Sequence, residues 1–130
     1  METSTDSKVL YKEECYLIQG AIFEVYRELG CGFIEAVYQE SLAKEFSTRN
    51  IPFSEQSEIT ISYKNQVLRQ TFHPDFICYN KNIIELKAVK ETNDEFKAQL
   101  MNYLKISNLR LGLLVNFGHF PRATVERIIL

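Results

Sequence analysis

The spacing of apolar residues along this chain switches between helical and strand period, and those switches restrict it to an α/β fold. From Lys8 to Leu29, apolar residues fall at Leu10, Leu17, Ile18, Ala21, Ile22, Val25 and Leu29, which is one face of a helix. Gly30-Cys31-Gly32 ends it, because glycine accepts the left-handed conformation that closes a helix. A second helix is predicted from Phe33 to Thr48, with Ile34, Val37, Tyr38, Leu42 and Phe46 on its apolar face and Asn50 and Pro52 beyond its end. Alternation at Ile59, Ile61 and Tyr63 then predicts a strand. Lys64-Asn65-Gln66 makes a turn, and Val67–Phe72 returns as a second strand. A third strand is predicted over His73–Tyr79, with Pro74 near its start where proline is tolerated. After the turn Asn80-Lys81-Asn82, Ile83–Val89 reads as a fourth. Thr92 or Asn93 can cap a helix from Asp94 to Ile106. The apolar run Leu111–Asn116 has the look of a strand buried on both faces, and Val125–Leu130 of a last short strand. The predicted order is α-α-β-β-β-β-α-β-β, a sheet with helices packed on it.

With 130 residues and no repeat or linker, the expectation is one domain over residues 1–130, with 1–7 a flexible N-terminal segment. Three scattered cysteines, Cys15, Cys31 and Cys78, lack the paired spacing of a zinc or redox motif and suit a reducing compartment. The first eight residues are polar, and no apolar run approaches the roughly 20 residues of a membrane helix, so a cytoplasmic protein with no membrane association is expected. A formal charge of −2 argues against strong sequence-independent binding to nucleic acid. The charge is uneven, however: −6 over residues 1–63 and +4 over residues 64–130.

Glu85 and Lys87 stand two apart on one predicted strand and therefore share a face, while Ile84, Leu86 and Ala88 point to the other. Asp75 lies on the preceding strand across a short turn and can reach the same place. Two carboxylates on neighbouring strands with an ammonium beside them suit a hard cation such as Mg2+, which keeps several waters and takes one or two protein carboxylates plus substrate phosphate. Glu-x-Lys on a strand is ordinarily solvated surface. Here Ile83, Ile84, Leu86, Ala88 and Val89 surround the pair, which makes the strand central, and charges in a central strand cost free energy unless paired or coordinated. On the third helix Gln99 and Tyr103 lie one turn apart on one face. At the start of the second, Gly32, Glu35 and Tyr38 recur every three residues; each also has an ordinary reading, as a turn glycine, a first-turn Glu and a core tyrosine. His73 and His119 are isolated, although His73 precedes Asp75 by two residues and can face the same cleft.

Gly32-x-x-Glu35-x-x-Tyr38 resembles the signature that names the GxxExxY protein family, and "HPDFICYNKNIIELKAV", "AQLMNYLK" and "LRLGLLVNFG" follow in the family's order. The resemblance runs from about Tyr11 to Leu130. It implies a PD-(D/E)XK, restriction-endonuclease-like α/β fold with a central mixed sheet flanked by helices, and a motif layout similar to lambda-type and RecB-type exonucleases. It further implies Asp75 and Glu85 as metal ligands with the Leu86 backbone carbonyl, Glu35 completing the metal shell directly or through water, and Lys87 as the catalytic lysine. Gln99 and Tyr103 match the helix motif that supports the site and touches the substrate backbone.

Three functions fit this reading. The first is a nuclease dependent on Mg2+ or Mn2+, acting on DNA or RNA and drawing added grip from a homodimer or an unidentified protein partner. The second is a catalytically inactive nuclease-fold module that binds or regulates. The third is a hydrolase of small phosphoesters or nucleotides.

Overall fold

A computed structural model describes residues 10–130; the predicted flexible segment 1–7, and Lys8 and Val9 of the predicted first helix, lie outside the described residues, while Leu10 and Tyr11 form a turn ahead of that helix. Helix α1 runs from Lys12 to Leu29 and buries Cys15, Ile18, Ala21, Ile22 and Val25, the stripe expected of its periodicity. It ends at Gly30, whose φ of 69° combined with a ψ of −170° only glycine takes without strain, and the Gly30 amide closes the last turn on the Tyr26 carbonyl at 2.7 Å. Helix α2 is Glu35–Thr48 and buries Tyr38, Leu42 and Phe46. Two residues assigned to apolar faces stay outside: Leu17 is 48% exposed, and Ile34, extended just ahead of α2, is 72% exposed.

Seven strands follow: β1 (Phe53–Glu55), β2 (Ile59–Tyr63), β3 (Gln66–Phe72), β4 (Phe76–Cys78), β5 (Asn82–Lys87), β6 (Leu111–Asn116) and β7 (Thr124–Ile129), with α3 (Asp94–Ser107) between β5 and β6. Five of them form a mixed sheet in the order β1-β4-β5-β6-β7, in which β5 and β6 are parallel and the other pairs antiparallel. The predicted order therefore gains a strand. β1 has three residues, too few to show a period, and forms by pairing Phe53–Glu55 with Phe76–Cys78. A second difference concerns β2 and β3, which make a separate two-stranded sheet. The third predicted strand also shortens to Phe76–Cys78, since the chain bends at Asp75.

The sheet separates two apolar layers. On one face α1 and α2 pack with Ile84, Leu86, Leu113 and Val115; on the other, α3 packs Leu100 and Leu104 against Ile83, Leu114 and Ile128. Alternation along β5 and β6 supplies both faces, which is why Leu111–Asn116 reads as a continuous apolar run and is buried throughout. At Gly112 a β-carbon would lie 2.9 Å from the Leu100 side chain, so α3 rests directly on β6. Asn93 caps α3 as predicted, its side chain accepting the Phe96 amide at 3.0 Å. Cys15, Cys31 and Cys78 are free thiols. Among the described residues no helix is long and apolar enough to cross a membrane.

Candidate active site

β5 is the central strand, and its carboxyl end places Glu85 and Lys87 on one face. The ladder between β4 and β5 ends at Phe76↔Ile84. One step further, side chains take over from backbone. The Asp75 carboxylate (Oδ2) accepts the Leu86 amide at 2.7 Å, and the Asp75 amide donates to Glu85 Oε2 at 3.3 Å. Because the amide and carbonyl of a strand residue face the same neighbour, the Leu86 carbonyl also faces the Asp75 side. Asp75, Glu85 and the Leu86 backbone are thus brought together.

Burial dominates the electrostatics. Glu85 is 8% exposed, and its carboxyl is pushed up to about 8, first by burial and then by the charge of Asp75; the Asp75 amide and the Lys87 ammonium pull the other way. Asp75 is also raised, by burial, against the opposing pull of the Leu86 amide, the Gln56 side chain and Lys87. Glu35, the first residue of α2, is exposed at the surface, and its carboxyl is raised by partial desolvation and by Asp75, and lowered by Lys87. The Tyr103 hydroxyl is raised by burial and by the charges of Glu85 and Asp75, with the Gln99 side chain opposing. Hydrogen bonds join Asp75, Glu85 and Leu86; the charges of Glu35 and Lys87 act on that pair, Tyr103 feels it, and Gln99 lies one turn from Tyr103 on α3.

Three residues absent from the sequence reading complete it. The Lys87 ammonium sits 4.4 Å from the centre of the Phe96 ring, a cation–π contact that holds it over the first turn of α3. Phe96, Gln99 and Tyr103 fall at i, i+3 and i+7, so extending the Gln-Tyr stripe one turn back would have found Phe96. Gln56 donates to Asp75 Oδ1 at 3.1 Å. Gln39, four residues after Glu35 on α2, donates to the Asp75 carbonyl at 3.1 Å and to Glu55 Oε2 at 2.9 Å. No periodic signal marks Gln56, because it sits in a bend at a φ of 56°.

The Gly32-x-x-Glu35-x-x-Tyr38 motif has a mechanical explanation. Gly32 takes a φ of 112°, which turns the chain into α2. Tyr38 is fully buried, donates its hydroxyl to the Gly30 carbonyl, and stacks on Phe117 with ring centres 4.5 Å apart. The turn before α2 is thereby fastened to the end of β6, and Glu35 is carried to the cleft. The Asn116-Phe117-Gly118 turn buttresses the same end from the other side. Asn116 Oδ1 accepts the Val89 amide at 3.1 Å and the Gly118 amide at 2.9 Å, and the Phe117 amide donates to the Lys87 carbonyl at 2.8 Å. His73 is exposed, and the His119 ring lies 3.0 Å from the Arg122 carbonyl.

The donor chemistry suits a hard divalent cation. Two carboxylates and a backbone carbonyl converge, and burial leaves the acidic pair short of compensating positive charge. Each Asp75 oxygen already accepts one hydrogen bond, which leaves a second lone-pair direction on each. Among the described residues no three His, Cys, Asp or Glu side chains cluster closely enough to enclose an ion by themselves. An open site of this kind suits a cation that shares its shell with water and substrate.

Fold and site together define a mixed-sheet α/β domain with an acidic pair and a lysine at the end of its central strand. The family model of the PD-(D/E)XK nuclease superfamily matches residues 12–128, and the chain belongs to that superfamily. Among solved structures it is similar to the crystal structure of SSO0001, with a TM-score of 0.59 and 19% sequence identity. That alignment covers 92% of this chain and 58% of the other, and it shows a shared fold. No curated protein matches the chain.

Proposed function

We propose that this protein is a metal-dependent nuclease that hydrolyses phosphodiester bonds of DNA or RNA, within the GxxExxY branch of its superfamily and with the motif layout of lambda-type and RecB-type exonucleases. The observation that carries this reading is the pairing of half-buried Asp75 with buried Glu85 at the end of β5, with Lys87 on the same strand. Asp75, Glu85 and the Leu86 carbonyl would hold Mg2+ or Mn2+, with Glu35 reaching the shell through water, since the three carboxylates do not close on one point. Such a cation supplies Lewis-acid polarisation of a phosphoryl oxygen and lowers the pKa of a water. The remaining work falls to the chain. The Lys87 ammonium, steadied by the Phe96 ring, lies where it can orient the attacking water and offset charge developing on the phosphate. Gln99 and Tyr103 offer an amide and a hydroxyl to the substrate backbone from one face of α3. Gln56 and Gln39 hold Asp75 at its side chain and its carbonyl.

The test is to incubate the purified protein with linear and circular DNA, single strands and RNA in Mg2+, Mn2+ or EDTA. Cleavage that needs the metal and disappears in Glu85→Ala and Lys87→Ala supports the proposal. Equal cleavage by wild type and both variants contradicts it. Metal binding by calorimetry without cleavage of any substrate would instead identify a non-catalytic module.

A further inference from the structure

We infer that the β2–β3 hairpin is an arm that grips the phosphate backbone of a nucleic acid strand at the lip of the active site. The inference rests on the nuclease reading for its substrate class, but it concerns residues outside the catalytic set.

The hairpin is set apart from the main sheet and becomes more exposed from base to tip. Phe72 at its base is 6% exposed, whereas Tyr63 and Val67 beside the turn are 62% and 69% exposed. The base is anchored at the site itself. Phe72 stacks on Tyr103 with ring centres 4.1 Å apart and planes 8° from parallel, and only His73 and Pro74 separate it from Asp75. A strand held by the arm would therefore lead toward the acidic pair.

Charge selects the occupant. Between Glu58 and Asp75 the chain carries no carboxylate, while Lys64 and Arg69 are both present and exposed, in a protein whose formal charge is −2. Lys64 also lies over the exposed Tyr63 ring, 5.6 Å from its centre, so a cation and an aromatic face occur together at the tip. Phosphates pair with the first and nucleobases stack on the second. A second copy of this chain is the competing occupant, because two strand edges are open. Its docking is opposed by the register: Thr60 pairs with Thr71 and Ser62 with Val67, so Leu68, Arg69 and Gln70 stand opposite the single residue Ile61. A bulge of this size bends the strand, and a bulge with edge cations is how natural sheets block edge-to-edge pairing.

Binding is measured by fluorescence anisotropy with labelled single-stranded DNA, duplex DNA and RNA, in an Asp75→Asn background that removes cleavage from the readout. Lys64→Ala/Arg69→Ala is compared with its parent over a salt series, and both are sized by light scattering. The expected result is a Kd raised about tenfold near physiological salt and a salt slope smaller by about 2, one unit for each phosphate that is no longer neutralised. The preferred probe identifies the strand type. Unchanged affinity and slope in the double variant, no binding by the parent, or a parental dimer that the double variant splits would each overturn the inference. Hydrolysis of bis(p-nitrophenyl) phosphate with Mn2+, run with Asp75 intact, reads the catalytic site alone. Its absence, together with absence of cleavage, would sink the nuclease reading while the anisotropy still decides on the arm. Equal rates on the small ester with and without Lys64 and Arg69 are expected of an arm that only grips.

Discussion

The amide of Asp75 donates to Glu85 Oε2 at 3.3 Å, while the carboxylate of Asp75 takes the amide of the residue that follows Glu85, Leu86, at 2.7 Å. Asp75 thus completes the β4–β5 ladder with its side chain at the point where the strand pairing stops. Its structural and chemical roles separate under substitution. Asp75→Asn retains an acceptor for the Leu86 amide and should keep stability within about 1 kcal/mol. Asp75→Ala leaves that amide unpaired and should cost about 1–3 kcal/mol in urea unfolding. Both should abolish cleavage, and full activity in Asp75→Asn would remove it from the site.

Glu85 sets the pH dependence of the metal-free protein. In the unfolded chain its carboxyl titrates near 4.5, and in the folded chain near 8. Between those values the unfolded chain releases the proton that the folded chain keeps, so stability falls as pH rises through this window. The stabilising contribution is complete below the unfolded value and gone above the folded one. Asp75 and Glu35 are shifted in the same direction. A divalent cation held at the proposed site would bind the ionised carboxylates, so Mn2+ should raise Tm more at pH 8 than at pH 5.5. Thermal melts at both pH values with Mn2+ and with EDTA check this; an equal increment at the two would contradict it.

The hairpin base gives a third expectation. Tyr103 stacks on Phe72 and brings its hydroxyl to the site from the same ring. Tyr103→Phe keeps the stack and should change stability by less than about 0.5 kcal/mol. Tyr103→Ala removes a half-buried ring and an aromatic pair, and should cost about 2 kcal/mol. Hydrogen exchange should then quicken in β2 and β3 while β5 and β6 stay protected.

The end of β6 supplies a fourth. A β-carbon on Gly118 would fall 2.3 Å from the Val89 carbonyl oxygen and 2.5 Å from the Val89 nitrogen, and backbone cannot give way as a side chain can. Gly118→Ala should cost about 2–3 kcal/mol. Asn116→Ala leaves the Val89 and Gly118 amides without their acceptor and should cost about 1–3 kcal/mol. Both residues lie across from the exit of β5, so cleavage should fall in each, which activity assays below the variants' melting temperatures would show.

Long elements with a sustained period were legible. α1, α2, α3 and the doubly buried β6 form where apolar spacing places them, because burial of one stripe or two faces leaves its period in the sequence. Glu85 and Lys87 were legible for a related reason: charges inside the apolar run of a central strand stand out against their neighbours. β1 was not, since three residues held by pairing with β4 carry no period of their own. The detachment of β2 and β3 was hidden because alternation fixes which face a strand buries and says nothing of which sheet it joins. Gln39, Gln56 and Phe96 act through distances between elements far apart in the chain. Asn116 and Gly118 were visible as a turn, but the contact that requires them is with Val89, on another strand's exit.

The central claim is that Lys87 acts on a phosphodiester beside a cation held by Asp75 and Glu85. Single-turnover cleavage of a labelled nucleic acid in saturating Mn2+ tests it most directly, comparing wild type with Lys87→Met, which removes the ammonium but keeps an unbranched side chain able to lie on Phe96. The expected result is unchanged Mn2+ affinity by calorimetry and a cleavage rate lower by about 100-fold or more. Equal rates for the two proteins, or no cleavage by the wild type, would contradict it.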